Sequence, residues 1–180
     1  MWKQIDEGTH IHYSTANEED YHTVGSLFNG AIHWFANRLD LEKDVIVAFD
    51  LIERKLLDMN FPDEFDREFA YGGLWVFQEF LSLWAKNYVG TVEIWVMKEY
   101  KLHSSWTKTH VLHTYAIPTP RKYFSPLTST KSGDIVGTNG LAGFVKFNDD
   151  GQLLEHHSYC NDPCRSDVAM YTESLLSLPG

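Results

Sequence analysis

TVEIWVMKEYKLHSSWTK, residues 91–108, decides how this chain is read. Val92, Ile94, Val96 and Tyr100 alternate with charged and polar side chains at a spacing close to two, the period of a strand with one buried face. His103-Ser104-Ser105 interrupts the pattern, and Trp106 opens a second β-rich run that reaches Val111. The stretch predicts a strand, a polar turn and a returning strand. Two strands alone leave their apolar face open, so this hairpin requires more strands around it.

On both sides the same phrase returns at a spacing of roughly forty to fifty residues, the range of propeller blades. The first phrase covers residues 26–61, with a strand pair over residues 27–35 around an Asn29-Gly30 hairpin turn, a buried strand over residues 45–51 and another over residues 55–61, ended by Pro62. The second covers residues 72–113: a strand at residues 74–77, a turn at Gln78-Glu79, a strand at residues 80–84, then the central hairpin. The third starts at Ser125 and takes in Ile135-Val136, an Asn139-Gly140 turn, residues 141–147, the turn Asn148-Asp149-Asp150-Gly151 and residues 152–156. Residues 170–178 read as a last strand. A helical reading of residues 42–59 competes, but Val45-Ile46-Val47-Ala48-Phe49 is continuous and β-branched, and charge at Asp50 to Arg54 interrupts it, so two strands are predicted.

Composition narrows the function classes. In 180 residues, 14% are aromatic, a bias towards pleated, half-buried surfaces. Fifteen Lys and Arg against 25 Asp and Glu give a net charge of −10, which argues against nucleic acid or an acidic membrane surface as partner. No apolar run approaches the length of a membrane helix, and MWKQIDEGTH lacks the apolar core of a signal peptide. With Cys160 and Cys164 alone no disulfide framework is implied, so an intracellular location, cytoplasmic or nuclear, is expected.

The residues 91–108 stretch resembles the EIWVMKEYGVKESWTKL signature of the plant F-box-associated domain (type 1). Three further motifs agree in order: Asn29-Gly30-Ala31-Ile32-His33-Trp34 with NGALHW, residues 45–51 with ILAFDL, and Tyr171-Thr172-Glu173-Ser174-Leu175 with YVESL. One departure is Trp75 and Phe77, where the family often carries small residues or Cys. Gly72-Gly73 evokes a kelch double glycine. The resemblance implies an all-β fold of antiparallel four-stranded blades, a partial β-propeller of about three blades. Residues 1–25 are expected as an N-terminal strand or the tail of a preceding blade, and residues 26–180 as the propeller segment.

Members of this family use an F-box to dock on the adaptor of a cullin-RING ubiquitin ligase and the propeller-like part to hold the target. The expectation is the C-terminal portion of such an F-box or F-box/kelch-repeat protein, with the F-box itself absent, so that the adaptor is a partner only if an upstream F-box exists. The implied role is non-catalytic: recognition of a target protein for ubiquitination. The alternatives are a stand-alone β-rich small-ligand protein or enzyme, and a truncated, non-functional gene product.

Motifs of other chemistries carry little. His10, His12, His156 and His157 accompany Cys160 and Cys164, but zinc needs four converging ligands at paired spacings, so no metal or other cofactor is expected. Ser105-Trp106-Thr107-Lys108 matches S-x-x-K without its partner motifs, and no nucleophile elbow, phosphate loop or dinucleotide fingerprint occurs. Asp63, Glu64, Asp66 and Glu68 read as a solvated connection between blades. Trp34, Trp84, Trp95 and Trp106 are assigned to packing between sheets, whereas Trp75, Tyr88, Tyr123 and Phe124, nearer to turns, are candidate anchors for a partner. The turn segments 38–43, 101–104 and 118–123 add Arg38, Lys43, Lys101, His103 and Arg121 as candidate contacts.

Overall fold

A computed structural model describes residues 3–4, 13–14, 25–65, 69–119, 123–139 and 143–158. They form three antiparallel sheets, joined by turns and two single 3-10 turns, His103–Ser105 and Thr114–Ala116. The first sheet has a four-stranded body of β3 (Ser26–Phe28), β4 (Ala31–Arg38), β5 (Lys43–Asp50) and β6 (Lys55–Met59). Two short strands join it: β1 (Lys3–Gln4) pairs with β6 and β2 (Tyr13–Ser14) with β4. The second sheet is β7 (Phe69–Phe77), β8 (Phe80–Asn87), β9 (Thr91–Met97) and β10 (Trp106–His113). The third is β11 (Ser125–Ser129), β12 (Ile135–Thr138), β13 (Gly143–Phe147) and β14 (Leu153–Ser158). This is the expected all-β architecture, three antiparallel blades of a partial propeller, and residues 43–59 are two strands rather than a helix.

Some boundaries differ from the sequence reading. Tyr100 lies in the β9–β10 turn, because β9 ends at Met97, and β6 ends at Met59. The last strand expected at residues 170–178 and the Cys160 and Cys164 loop lie outside the described residues.

Two hairpins turn in the left-handed conformation that matches the right-handed twist of their strands. Asn29 and Gly30 do so at φ 46° and 74°, where glycine suffers no Cβ clash. Gln78 and Glu79 adopt φ 46° and 67° with side chains that disfavour it.

The core is two seams between sheets. Between the first and second, Phe35, Phe61, Phe65, Trp95, Met97 and Trp106 are buried together. Phe61 and Phe65 stack at 5.2 Å, and Phe35 meets Phe61 edge-on at 5.0 Å. Between the second and third, Phe77, Trp84, Ile94, Leu112, Phe124 and Phe147 are buried together. Each such ring stabilises the fold by about 2–3 kcal/mol through removal of apolar surface from water. Trp84 explains Gly72-Gly73: a Cβ on Gly73 would sit 2.9 Å from Trp84 Nε1, and one on Gly72 2.9 Å from Trp84 O. The glycine pair leaves the room in which this indole lies across β7, its neighbour in the ladder. Trp84, Trp95 and Trp106 thus fill the seams, whereas Trp34 packs on the other face of the first sheet, against Ala36, Val45 and Val47.

Alternation of antiparallel strands sorts the turns into two ends. Turns 29–30, 51–54, 78–79, 98–105, 130–134 and 148–152 share one end. Cross-blade contacts confirm the sorting, with Tyr100 reaching His33 and Gly133 lying beside Gln78 and Asp149. Turns 39–42 and 88–90, with the connection that begins at Thr114, form the opposite end.

Candidate partner-binding end of the second blade

At this opposite end of the second blade the chain builds a rigid knob. Asn87 Oδ1 accepts hydrogen bonds from Gly90 N at 3.0 Å and Thr91 N at 2.9 Å, locking the turn that leaves β8. Thr114 then ties the next connection to it, donating from its backbone N at 2.9 Å and from Oγ1 at 2.8 Å to Gly90 O. Thr114 is fully buried, and its neighbours are not. Tyr88 is 80% exposed, Val89 86% and Tyr115 66%, so three large apolar side chains project from a frame fixed by four hydrogen bonds. His113 flanks Tyr115, with ring centroids 5.2 Å apart. Deeper in, Tyr71 meets Tyr123 edge-on at 5.4 Å, and the Lys86 ammonium lies 5.8 Å from the Tyr71 ring centre. Burial holds the Lys86 ammonium below its ordinary pKa.

The sequence-derived candidates separate sharply. Tyr88 stands on the knob, and Tyr123 is half-buried against Tyr71. Lys43 is at the same end on the first blade, its Nζ bonded to Asn60 Oδ1 at 2.8 Å. Lys101 and His103 belong to the other end; Lys101 is exposed over the Tyr100 ring, and His103 Nε2 donates to Phe61 O at 3.1 Å. Arg121 lies outside the described residues.

Three candidates are corrected. Arg38 is buried, clamped bidentately by Asp40 at 2.9 and 2.5 Å and bonded to Asp58, an arrangement that raises its pKa above the ordinary value. Trp75 is 7% exposed and stacks on Phe77 at 5.0 Å. Phe124 is fully buried against Phe147, with centroids 5.1 Å apart. All three were placed near turns, but strand pairing and the blade seam turn them inward. Val89 and Tyr115 were missed. Their signal was legible: two large apolar side chains in the turn Tyr88-Val89-Gly90, where turns carry polar residues, and a tyrosine just past the end of a strand.

Chemistry elsewhere is sparse. An open recess of about 400 Å³ lies beside the β9–β10 hairpin, lined among others by Asp63, Glu64, His103, Ser104 and Lys108. Its basic groups are engaged in structure, His103 with Phe61 O and Lys108 with Glu93 at 2.9 Å. Among the described residues no hydrogen bond joins Ser104 to His103, and no group of three His, Cys, Asp or Glu is placed to hold a metal ion. No described helix is long and apolar enough to cross a membrane.

Stacked four-stranded antiparallel blades with a rigid, apolar-tipped turn end define a propeller segment. The chain belongs to the F-box associated beta propeller domain family, whose model matches residues 1–142. No curated protein and no solved structure matches the chain.

Proposed function

We propose that this chain is a non-catalytic protein-interaction domain that holds a target polypeptide, as the substrate-recognition part of an F-box subunit of a cullin-RING ubiquitin ligase does. Its partner is a protein destined for ubiquitination; contact with the ligase adaptor is made through an F-box where one is joined to it. The cytoplasm or nucleus, where that machinery works, is the compartment this role requires.

One observation carries the reading: Tyr88, Val89 and Tyr115 are exposed on a turn pair held by the Asn87 and Thr114 hydrogen bonds. Exposed tyrosines on a rigid frame give a large contact area at small entropic cost, the usual anatomy of a binding hot spot. The blade interiors are committed to packing, which leaves the turn ends for recognition. Lys43 and Tyr123 border the same end and extend the contact; Lys101 and His103 serve the other end.

A photo-crosslinking amino acid placed at position 88 or 115 tests this. It is expected to trap a polypeptide target that the same probe at position 131, on the far end of the third blade, leaves free. Equal capture at all three positions, or capture at position 131 alone, refutes the assignment.

A further inference from the structure

Charge is segregated along this chain. Residues 100–133 hold no Asp or Glu, yet carry five Lys or Arg and three His, while all 25 carboxylates and the other ten cations lie outside that run. Two parts of the acid-poor surface meet at the knob. Residues 113–119, HTYAIPT, contain no carboxylate, and residues 86–91, KNYVGT, against which Thr114 is bonded, contain none either. Among the described residues, the charged and titratable groups there are Lys86 and His113, beside Tyr71, Tyr88, Tyr115 and Tyr123.

Lys86 forms no ion pair with any described residue; its ammonium faces the Tyr71 ring instead. The described lysines of the acid-free run are placed differently. Lys108 is spent on Glu93, and Lys101 and Lys131 are at the other end. A partly desolvated ammonium packed on the Tyr71 ring, with no described carboxylate paired to it and with Tyr88 and Tyr115 exposed at the same end of the blade, is matched by a ligand that brings a carboxylate and an apolar group together.

We infer that the knob takes a short acidic segment of the partner protein, with an Asp or Glu paired to Lys86 and an adjacent apolar side chain seated among Tyr88, Val89 and Tyr115. This rests on the proposed interaction role and adds the chemistry of the target. Burial keeps the ammonium below its ordinary pKa, so an incoming carboxylate relieves a penalty that the free domain carries. A protein of net charge −10 also repels acidic segments over most of its surface, which favours acid-poor stretches such as this end for their docking.

Selection of a random linear peptide display library on the full chain tests both layers. The expected winners combine Asp or Glu with a large apolar residue. Synthetic winners are expected to bind about tenfold more weakly to Lys86→Glu, and more weakly as salt rises, while Lys131→Glu leaves them unchanged. Winners that need Tyr88 and Tyr115 but show no acidic bias overturn the acidic-segment inference and leave the interaction role standing. Winners indifferent to a Tyr88→Ser, Tyr115→Ser variant, or no winners at all, overturn both. A dimer in analytical ultracentrifugation that Lys86→Glu dissolves assigns the end to a second copy of this acidic chain and also overturns the inference.

Discussion

The second blade has two ends built on opposite plans. At one, the turns are stitched to the neighbouring blades. His33, fully buried in the first blade, donates from Nδ1 to Ser26 O at 3.2 Å and receives the Tyr100 hydroxyl at Nε2, 3.0 Å away. His103 reaches back to Phe61 O, and on the other seam His110 bonds Asp149 at 2.7 Å. At the other end the turns 88–90 and 114–116 are bonded to each other, and their tyrosines project outward. A turn tied to its neighbours supports the fold; a turn rigid within itself and apolar at its tip is free to bind.

The largest expected effect falls on the free end. Replacing Tyr88 and Tyr115 by Ser is predicted to weaken target binding by about 2–4 kcal/mol, read by titration against a crosslinked or selected partner, with the melting temperature unchanged. A drop in melting temperature instead would mean that this end too is structural.

On the stitched end the ranking reverses. Tyr100→Phe removes the hydroxyl that His33 Nε2 receives and is predicted to cost about 1–3 kcal/mol in urea unfolding while binding holds. Burial of the phenol, aided by the Asp50 charge, raises its pKa to about 12, so it remains a hydrogen-bond donor across the physiological range. In the same turn cluster, Gln78 and Glu79 sit at positive φ. Substituting Asn-Gly there is predicted to stabilise the chain by about 1 kcal/mol, seen as a higher urea midpoint.

The smallest effect is on pH dependence. Burial holds the His33 imidazole below its ordinary value of 6.5. Between that value and its lower folded one, the unfolded chain binds a proton that the native chain does not. The stability His33 supplies is therefore present above the ordinary value and is lost as the pH falls. The urea midpoint is predicted to fall from pH 7.5 to 5.5, and to fall less in His33→Asn, which is weaker at pH 7.5 but has lost this titration. An equal slope in both proteins would assign the effect to other histidines.

The strands were legible because each blade repeats a short-range pattern: period-two apolar side chains in residues 91–97, β-branched continuity in residues 45–47, and Asn-Gly at residues 29–30. The proposed binding end was half legible. Tyr88 could be picked because a large ring in a turn is out of place, but Trp75, Phe124 and Arg38, chosen only for being near turns, point inward. Position along a strand says how near a residue is to a turn. It is silent on which face the neighbouring blade covers.

Local alternation and turn chemistry therefore determined, within the sequence, that this protein is all-β and built in antiparallel blades, since each strand's pattern depends on residues only a few positions away. Tertiary structure alone decided which aromatic rings became seam and which stayed exposed. Burial of Phe124 needs Phe147 and the neighbouring sheet, and exposure of Tyr115 needs Thr114 fastened to Gly90, twenty-four residues earlier. Those are long-range contacts, fixed only when the sheets stack.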